Sequence, residues 1–87
     1  MKSIEEVYEE VKHINDTQCV EITENVDILF ESTRAFFIGE VINWDTHETT
    51  ERIKVMKTGE SDTDLCFLIN ILMKKAVEQG LIGNFIF

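Results

Sequence analysis

Histidine, cysteine and acidic residues are the side chains in this sequence that could perform chemistry. A zinc-protease helix needs two histidines four residues apart, with a glutamate directly after the first. The segment from His47 to Glu51 has the first histidine and the glutamate, but Glu51 stands where the second histidine would be. Thr49 and Thr50 also favour a strand over a helix. We therefore interpret this segment as a surface turn and predict no metal site.

Nucleophilic catalysis has no better support in the sequence. Cys19 and Cys66 lack the spacing of a redox or zinc motif, and we expect both to be buried free thiols. A catalytic thiol or hydroxyl needs a base within hydrogen-bond distance, and neither His13 nor His47 has an evident nucleophile partner. The glycines stand too far apart to form a phosphate-binding loop. The sequence favours a non-catalytic protein without a cofactor.

The acidic residues are concentrated in one part of the chain. Residues 1–51 contain thirteen Asp and Glu against three Lys and Arg, whereas residues 52–87 contain four acidic and five basic residues. A folded domain that concentrates one sign of charge repels itself. Such a distribution is typical of a protein that binds a basic partner or needs high solubility.

Four of these carboxylates have a regular spacing. Glu5, Glu6, Glu9 and Glu10 form two adjacent columns on a predicted helix, because residues four apart lie ~6 Å apart along the helix axis. This is about one charge per 3 Å, close to the ~3.4 Å spacing of phosphates along one DNA strand. A nucleic-acid-binding groove could accept this row in place of DNA. The alternative is an ordinary solvated face whose acids also favour the helix dipole.

Three further residues are candidates for partner contact. Trp44 ends a predicted strand beside Asp45, where its ring either anchors a partner or fills the core. Asp45 and Glu48 lie in the polar turn that follows. We expect Arg52, Lys54 and Lys57, on the next strand, to pair with the acidic surface or to protect a sheet edge.

Hydrophobic periodicity predicts the elements that position these residues. A capping-box pattern at Ser3 and Glu6 begins a helix that runs to about Asn15. Ser61 with Asp64 has the same kind of pattern and begins a second helix, which stops at Gly80. The predicted inward face of this helix consists of Leu65, Leu68, Ile69, Leu72, Ala76 and Val77. Between them, alternating and β-branched residues predict strands over about residues 19–23, 26–31, 34–44 and 51–57. Residues 83–87 are apolar enough to add a short edge strand.

The strand predicted over residues 34–44 is apolar on both sides. Phe36, Ile38, Ile42 and Trp44 share one face, and Val41 lies with Phe37 on the other. Such a strand belongs in the middle of a sheet, or its second face is covered by another subunit.

These elements predict an α+β fold with two helices on one face of an antiparallel sheet of three to four strands. The length of 87 residues fits one domain over residues 1–87, and 44% hydrophobic residues with six Phe exclude a disordered acidic tail. The longest apolar run is too short for a membrane span, and the acidic start does not match a secretory signal. We therefore expect a cytoplasmic protein.

In size and charge, the chain resembles the small acidic inhibitors made by bacteriophages, including anti-CRISPR proteins and other DNA mimics. The resemblance implies a protein that blocks a basic, nucleic-acid-binding surface of a partner, such as a host defence nuclease, without binding nucleic acid or membrane itself. It covers no motif and assigns no residue roles. The alternative is a homodimer or larger homo-oligomer that uses its apolar second face, with a small ligand enclosed between subunits.

Overall fold

The computed structural model of the chain describes residues 1–83. The elements are α1 (Ile4–Val11), β1 (Thr17–Thr23), β2 (Val26–Ser32), β3 (Phe36–Asn43), β4 (Glu48–Thr49), β5 (Ile53–Met56) and α2 (Ser61–Glu78). The predicted α+β class and the order of helix, strands and helix are confirmed. The two-residue strand β4 was not predicted, because its residues read as part of a turn. The strand predicted at residues 83–87 falls on residues 84–87, outside the described part of the chain.

The strands form one antiparallel sheet in which β2 lies between β1 and β3. On its other side, β3 pairs with β5 along Phe36–Gly39 and with β4 at Ile42 and Asn43. Strands β4 and β5 therefore share one edge of the sheet. The prediction that the two-sided apolar strand is central is confirmed.

Helix α1 begins with the predicted capping box. The Ser3 hydroxyl accepts from the Glu6 backbone N–H at 3.2 Å, and the Ser3 N–H donates to the Glu6 carboxylate at 3.0 Å. Val7 and Val11 are buried. The helix ends at Val11, earlier than predicted, because the Ile14 N–H bonds to the Val11 carbonyl in a tighter three-residue turn that stops the α-helical pattern.

Helix α2 packs its predicted apolar face across the sheet. Its buried residues include Leu65, Leu68, Ile69, Leu72 and Ala76. The chain leaves the helix through Gly80, which has a positive φ of 74° that suits glycine.

The start of α2 differs from the expected cap. Glu60 is the N-cap and makes no side-chain capping bond. The carboxylate of Asp64, which is only 5% exposed, instead accepts from the Thr58 N–H and hydroxyl at 2.8 and 2.9 Å. Asp64 therefore fixes the loop between β5 and α2 instead of forming a capping box with Ser61.

A glycine allows α2 to lie close to the central strand. A Cβ atom on Gly39 of β3 would stand 2.6 Å from Leu72 Cδ1 and 3.6 Å from atoms of Leu68 and Phe30. These neighbours are buried in the cluster that joins both helices to the sheet. Any larger residue at position 39 would push the helix and sheet apart.

Thr50 bridges the interruption between β4 and β5. Its hydroxyl accepts from the Val41 backbone N–H at 3.0 Å and donates to the Glu51 carbonyl at 3.1 Å. Its own N–H donates to the Val41 carbonyl. The side chain therefore replaces a missing backbone donor–acceptor pair at the point where the edge strand is broken.

The two faces of the sheet have different environments. Residues directly opposite each other in an antiparallel pair share a face, so Ile28 and Val41 lie together against the helices. The opposite face, which we call the open face, is not covered by either helix within residues 1–83. It carries Cys19, Glu21, Asp27, Leu29, Glu31, Phe36, Ile38, Glu40, Ile42, Lys54 and Met56.

No helix within residues 1–83 has the length and apolar character that crossing a membrane requires.

Candidate partner-binding surface

The four glutamates of α1 have different environments. Glu10 is in an ion pair with Lys2, and Glu9 is in an ion pair with Lys12 at 2.7 Å. Glu6 is used by the capping box, which lowers the pKa of its carboxyl because the Ser3 N–H donates to it. Among the described residues, Glu5 has no ion pair. The row therefore presents less uncompensated charge than its spacing alone suggests.

Lys2 links α1 to the edge strand β1. Its backbone N–H donates to the Ile22 carbonyl at 3.1 Å, which fixes the start of the chain beside the end of β1. The pKa of the Lys2 ammonium is raised, first by its hydrogen bond to Glu10 and then by the charges of Glu10, Glu21 and Glu6. Glu10 thus contacts this cation directly, whereas Glu21 of β1 and Glu6 of α1 act on it through their charges.

The acidic surface continues from β1 onto β2. Glu21 lies directly opposite Asp27 on the open face. Like charges in this position repel each other and destabilise the strand pair. Asp27 Oδ2 accepts hydrogen bonds from the Cys19 thiol at 3.2 Å and from the Trp44 indole N–H at 2.9 Å. These donors are neutral, so Asp27 keeps its charge and has no ion pair among the described residues.

The same end of the sheet holds the two predicted contact residues Trp44 and Asp45. The Trp44 backbone N–H donates to the Asn25 carbonyl at 2.8 Å, and the Asn25 side chain donates to the Asp45 carboxylate. The turn is closed by the Asn43 side-chain oxygen, which accepts from the N–H groups of Asp45 and Thr46. Trp44 is 48% exposed and does not fill the core.

These contacts join part of the α1 row to the turn after β3. We call this surface the acidic edge, and it consists of Glu6, Glu10, Glu21, Asp27 and Asp45, with Trp44 beside it. We include Glu24 because it precedes Asn25 in the turn between β1 and β2. Glu5 and Glu9 form the other column of α1. The pKa of the Cys66 thiol on α2 is raised, first by desolvation, then by the charge of Asp62 and then by the charge of Glu5. That column therefore faces the α2 side. Glu48 lies on β4, at the opposite edge of the sheet from β1.

Sequence reasoning counted Glu21 and Asp27 as acidic but did not place them in the contact set. Their opposition depends on an irregularity of the β1–β2 hairpin between Glu21 and Thr23. If the Thr23–Val26 pairing continued without this bulge, Glu21 would oppose Ile28 and face the helices. The bulge is a feature of the fold for which the sequence pattern gave no clear signal.

Folding leaves most of the acidic residues of residues 1–51 without a cation. Glu9, Glu10, Glu31 and Glu51 have a lysine or arginine within ion-pair distance. Among the described residues, the other nine of the thirteen have no ion pair. The sequence-level charge imbalance is therefore also present at the folded surface.

Basic residues near the β5 edge are already occupied. Arg52 pairs with Glu31 at 2.7 Å, as expected for a residue that compensates the acidic surface. The ammonium group of Lys54 lies 5.8 Å from the ring centre of Phe36.

The cysteines differ from the expectation of two buried thiols. Cys19 is exposed and Cys66 is half-buried, so the expectation is wrong for Cys19. The pKa of the Cys19 thiol is raised to about 11, first by desolvation and then by its hydrogen bond to Asp27 and the charge of Asp27. A thiol in this environment stays protonated at neutral pH and is a poor nucleophile.

The surface turn predicted over His47 to Glu51 is confirmed only at His47, because Glu48 and Thr49 form β4 and Thr50 is buried. His47 is exposed and has a positive φ of 61°. In the part of the chain that the structure describes, no three His, Cys, Asp or Glu side chains lie close enough together to hold a metal ion.

The fold and this surface define a small α+β protein with a helix-covered sheet, an open sheet face and an acidic edge. Comparison with family models, curated proteins and solved structures found no match to the chain. The functional argument therefore depends on the surface itself.

Proposed function

We propose that this protein is a non-catalytic binding protein that covers a basic, nucleic-acid-binding surface of a partner protein. The observation that carries the proposal is the acidic edge, where carboxylates from α1, β1, β2 and two turns are close together with one lysine among them. The opposition of Glu21 and Asp27 costs stability in the free protein. A basic partner would relieve this repulsion.

The mechanism is steric and electrostatic blockade. Complementary charge steers the two proteins together and fixes their register, so association is fast at low salt. The bound protein then occupies the groove that would contact phosphates. Its own negative surface repels nucleic acid, so it competes for the partner and does not bind DNA or RNA itself.

The partner type follows from the class of small acidic phage inhibitors. A host defence nuclease, such as a CRISPR effector, has an extended cationic channel for nucleic acid. We propose such a cytoplasmic target for the acidic edge. Trp44 is the proposed aromatic anchor beside the charges, because exposed tryptophans contribute strongly at interfaces when a partner buries them. The outlying candidates Glu5, Glu9 and Glu48 would lie towards the rim of such an interface.

Affinity capture from bacterial lysate tests the proposal. Tagged wild-type protein should capture a basic nucleic-acid-binding protein at low salt and lose it at moderate salt. An excess of double-stranded DNA should release the same protein, because both ligands compete for one surface. Captured proteins that neither salt nor DNA releases, or recovery of the bait alone, would contradict the proposal.

Two charge-neutralising variants locate the surface. Changing Glu6, Glu10, Glu21 and Asp27 to their amides should abolish salt-sensitive capture, because it removes most of the acidic edge. The quadruple variant Glu5→Gln, Glu6→Gln, Glu9→Gln, Glu10→Gln removes the α1 row instead and tests the original DNA-like spacing. Equal capture by wild type and both variants would eliminate both surfaces, provided that circular dichroism shows an intact fold.

A second candidate function is self-assembly through the open face. It is favoured by the uncovered apolar residues of that face, among which Met56 is 65% exposed. This function predicts a stable dimer in sedimentation equilibrium. A monomer at high protein concentration would eliminate it.

A further inference from the structure

The open face contains a depression of ≈ 450 Å³. This volume lies within the range of about 300 to 1,000 Å³ that is usual for ligand pockets. Leu29 on β2 and Ile38 on β3 contribute apolar surface to it, and Glu31, Glu40 and Arg52 contribute charged groups. The depression thus combines an apolar contact area with polar groups of both signs.

Glu40 lies at the centre of this face. It is directly opposite Leu29, and Ile38 and Ile42 are its nearest neighbours on the same side of β3, because alternate residues of a strand share a face. Glu40 is half-buried, and it has no ion pair among the described residues. Any molecule that covers this carboxylate must replace its water contacts, and only a hydrogen-bonding cation does so at low cost.

Arg52 is the nearby cation, and it already binds another carboxylate. The β3–β5 pairing ends at Gly39 and Ile53, and extending it by one residue places Arg52 opposite Glu40. Its guanidinium nevertheless binds Glu31, with 2.7 Å between Nη2 and Oε1. Arg52 therefore contributes to the wall of the depression and, within residues 1–83, forms no ion pair with Glu40.

We propose that this depression binds an arginine side chain of the basic partner, with Glu40 as its acceptor. The aliphatic stem would lie mainly on Leu29, because Ile38 beside it is only 6% exposed. The guanidinium would make paired hydrogen bonds to the Glu40 carboxylate. Arginine fits better than lysine because its guanidinium is more weakly hydrated and matches a carboxylate in two bonds. The inference rests on the proposed function and extends it from the acidic edge onto the open face.

Charge argues against a second copy of this chain as the occupant. The open face carries four carboxylates, Glu21, Asp27, Glu31 and Glu40, against the two cations Arg52 and Lys54. Two copies that met face to face about a central two-fold axis would bring Glu40 towards its own equivalent. Like charges at such a contact repel each other, whereas a cationic partner is attracted.

The test is an NMR titration of the full chain with a six-arginine peptide at low salt. The controls are six-residue peptides of lysine and of citrulline, the neutral analogue of arginine. We expect the arginine peptide to shift the amide resonances of Leu29, Ile38, Glu40 and Arg52. The lysine peptide should cause smaller shifts, and the citrulline peptide should cause none. An equal response to the lysine peptide would overturn the assignment to arginine.

A matched pair of variants separates this site from general acidity. Glu40→Gln should weaken binding of the arginine peptide about threefold to fivefold, the size expected for one partly exposed ion pair. Glu78→Gln removes the same charge at the exposed end of α2, on the helix-covered side of the sheet, and should leave the affinity close to that of the wild type. Both are surface changes, and the dispersion of the amide spectrum reports whether the fold is intact.

Other results would overturn the inference in distinguishable ways. Binding with shifts confined to the acidic edge, and equal affinities of the two variants, would remove the depression as a site but leave the proposed function standing. No binding of either cationic peptide at low salt would count against both. Open-face shifts that appear on raising the protein concentration alone, with a dimer in sedimentation, would show that a second copy is the occupant.

Discussion

The indole N–H of Trp44 donates to Asp27 Oδ2 at 2.9 Å, which ties the residue after β3 to the neighbouring strand β2. This bond holds a ring that is 48% exposed in a defined position. A fixed aromatic ring loses little conformational freedom when a partner binds it. Asp27 thus has two roles, since it contributes charge to the acidic edge and orients the proposed anchor.

The first prediction concerns this bond. Asp27→Ala should free the indole, so tryptophan emission should shift to longer wavelength and its anisotropy should fall. Trp44 is the only tryptophan, so the signal is specific. The net loss in unfolding free energy should be below about 1 kcal/mol, because relief of the repulsion between Glu21 and Asp27 offsets part of the lost hydrogen bonding. Asp16→Ala removes the same charge at an exposed position before β1, and an equal spectral change in that variant would contradict the assignment.

The second prediction concerns the pH dependence of Cys19 reactivity. In a Cys66→Ser background, the rate of alkylation by iodoacetamide should keep rising with pH towards about 11, because the raised pKa keeps the thiol protonated below that value. Removing Asp27 should lower this pKa and speed alkylation several-fold at pH 8, although desolvation, the largest cause, remains. A rate profile of the Cys66→Ser protein with its midpoint near pH 9.0, the ordinary thiol value, would show that the pKa of Cys19 is not raised.

The third prediction concerns the break between β4 and β5. Thr50→Val removes the hydroxyl that accepts from the Val41 N–H and leaves this buried donor without a partner. The change should lower the free energy of unfolding by about 1 to 3 kcal/mol in urea denaturation. Thr49→Val is the control, because Thr49 is exposed on β4. Equal stabilities of the two variants would mean that water or the backbone replaces the hydroxyl.

The fourth prediction concerns the contact between α2 and β3. Gly39→Ala should destabilise the protein by about 1 to 3 kcal/mol, because the new methyl group would stand 2.6 Å from Leu72 Cδ1. Gly83→Ala should have little effect, since no atom of the described residues lies within 4 Å of the added carbon. Combining Gly39→Ala with Leu72→Val should cost less than the sum of the two changes, because the smaller side chain makes room. Additive costs would place the strain elsewhere.

Much of the fold follows from local patterns. The capping box of α1, the buried face of α2 and the alternation of Ile53 and Val55 on β5 all depend on residues close together in sequence, and each was predicted. The two-sided apolar strand also had to be central, because an edge position would expose both apolar faces and unpaired backbone groups. The early end of α1 and the role of Asp64 were missed, since each depends on a turn or loop bond that hydrophobic periodicity does not encode.

The candidate surface also has features that the sequence predicts and features that only the tertiary structure decides. The sequence by itself determined the excess of carboxylates in residues 1–51 and the absence of enough nearby cations to balance it. Only the tertiary structure decided which carboxylates meet, because a bulge sets the register of β1, Lys2 joins α1 to that strand, and Asn25 joins the two turns. Charge is a property of composition, whereas its convergence depends on strand register and on contacts between segments that are far apart in the chain.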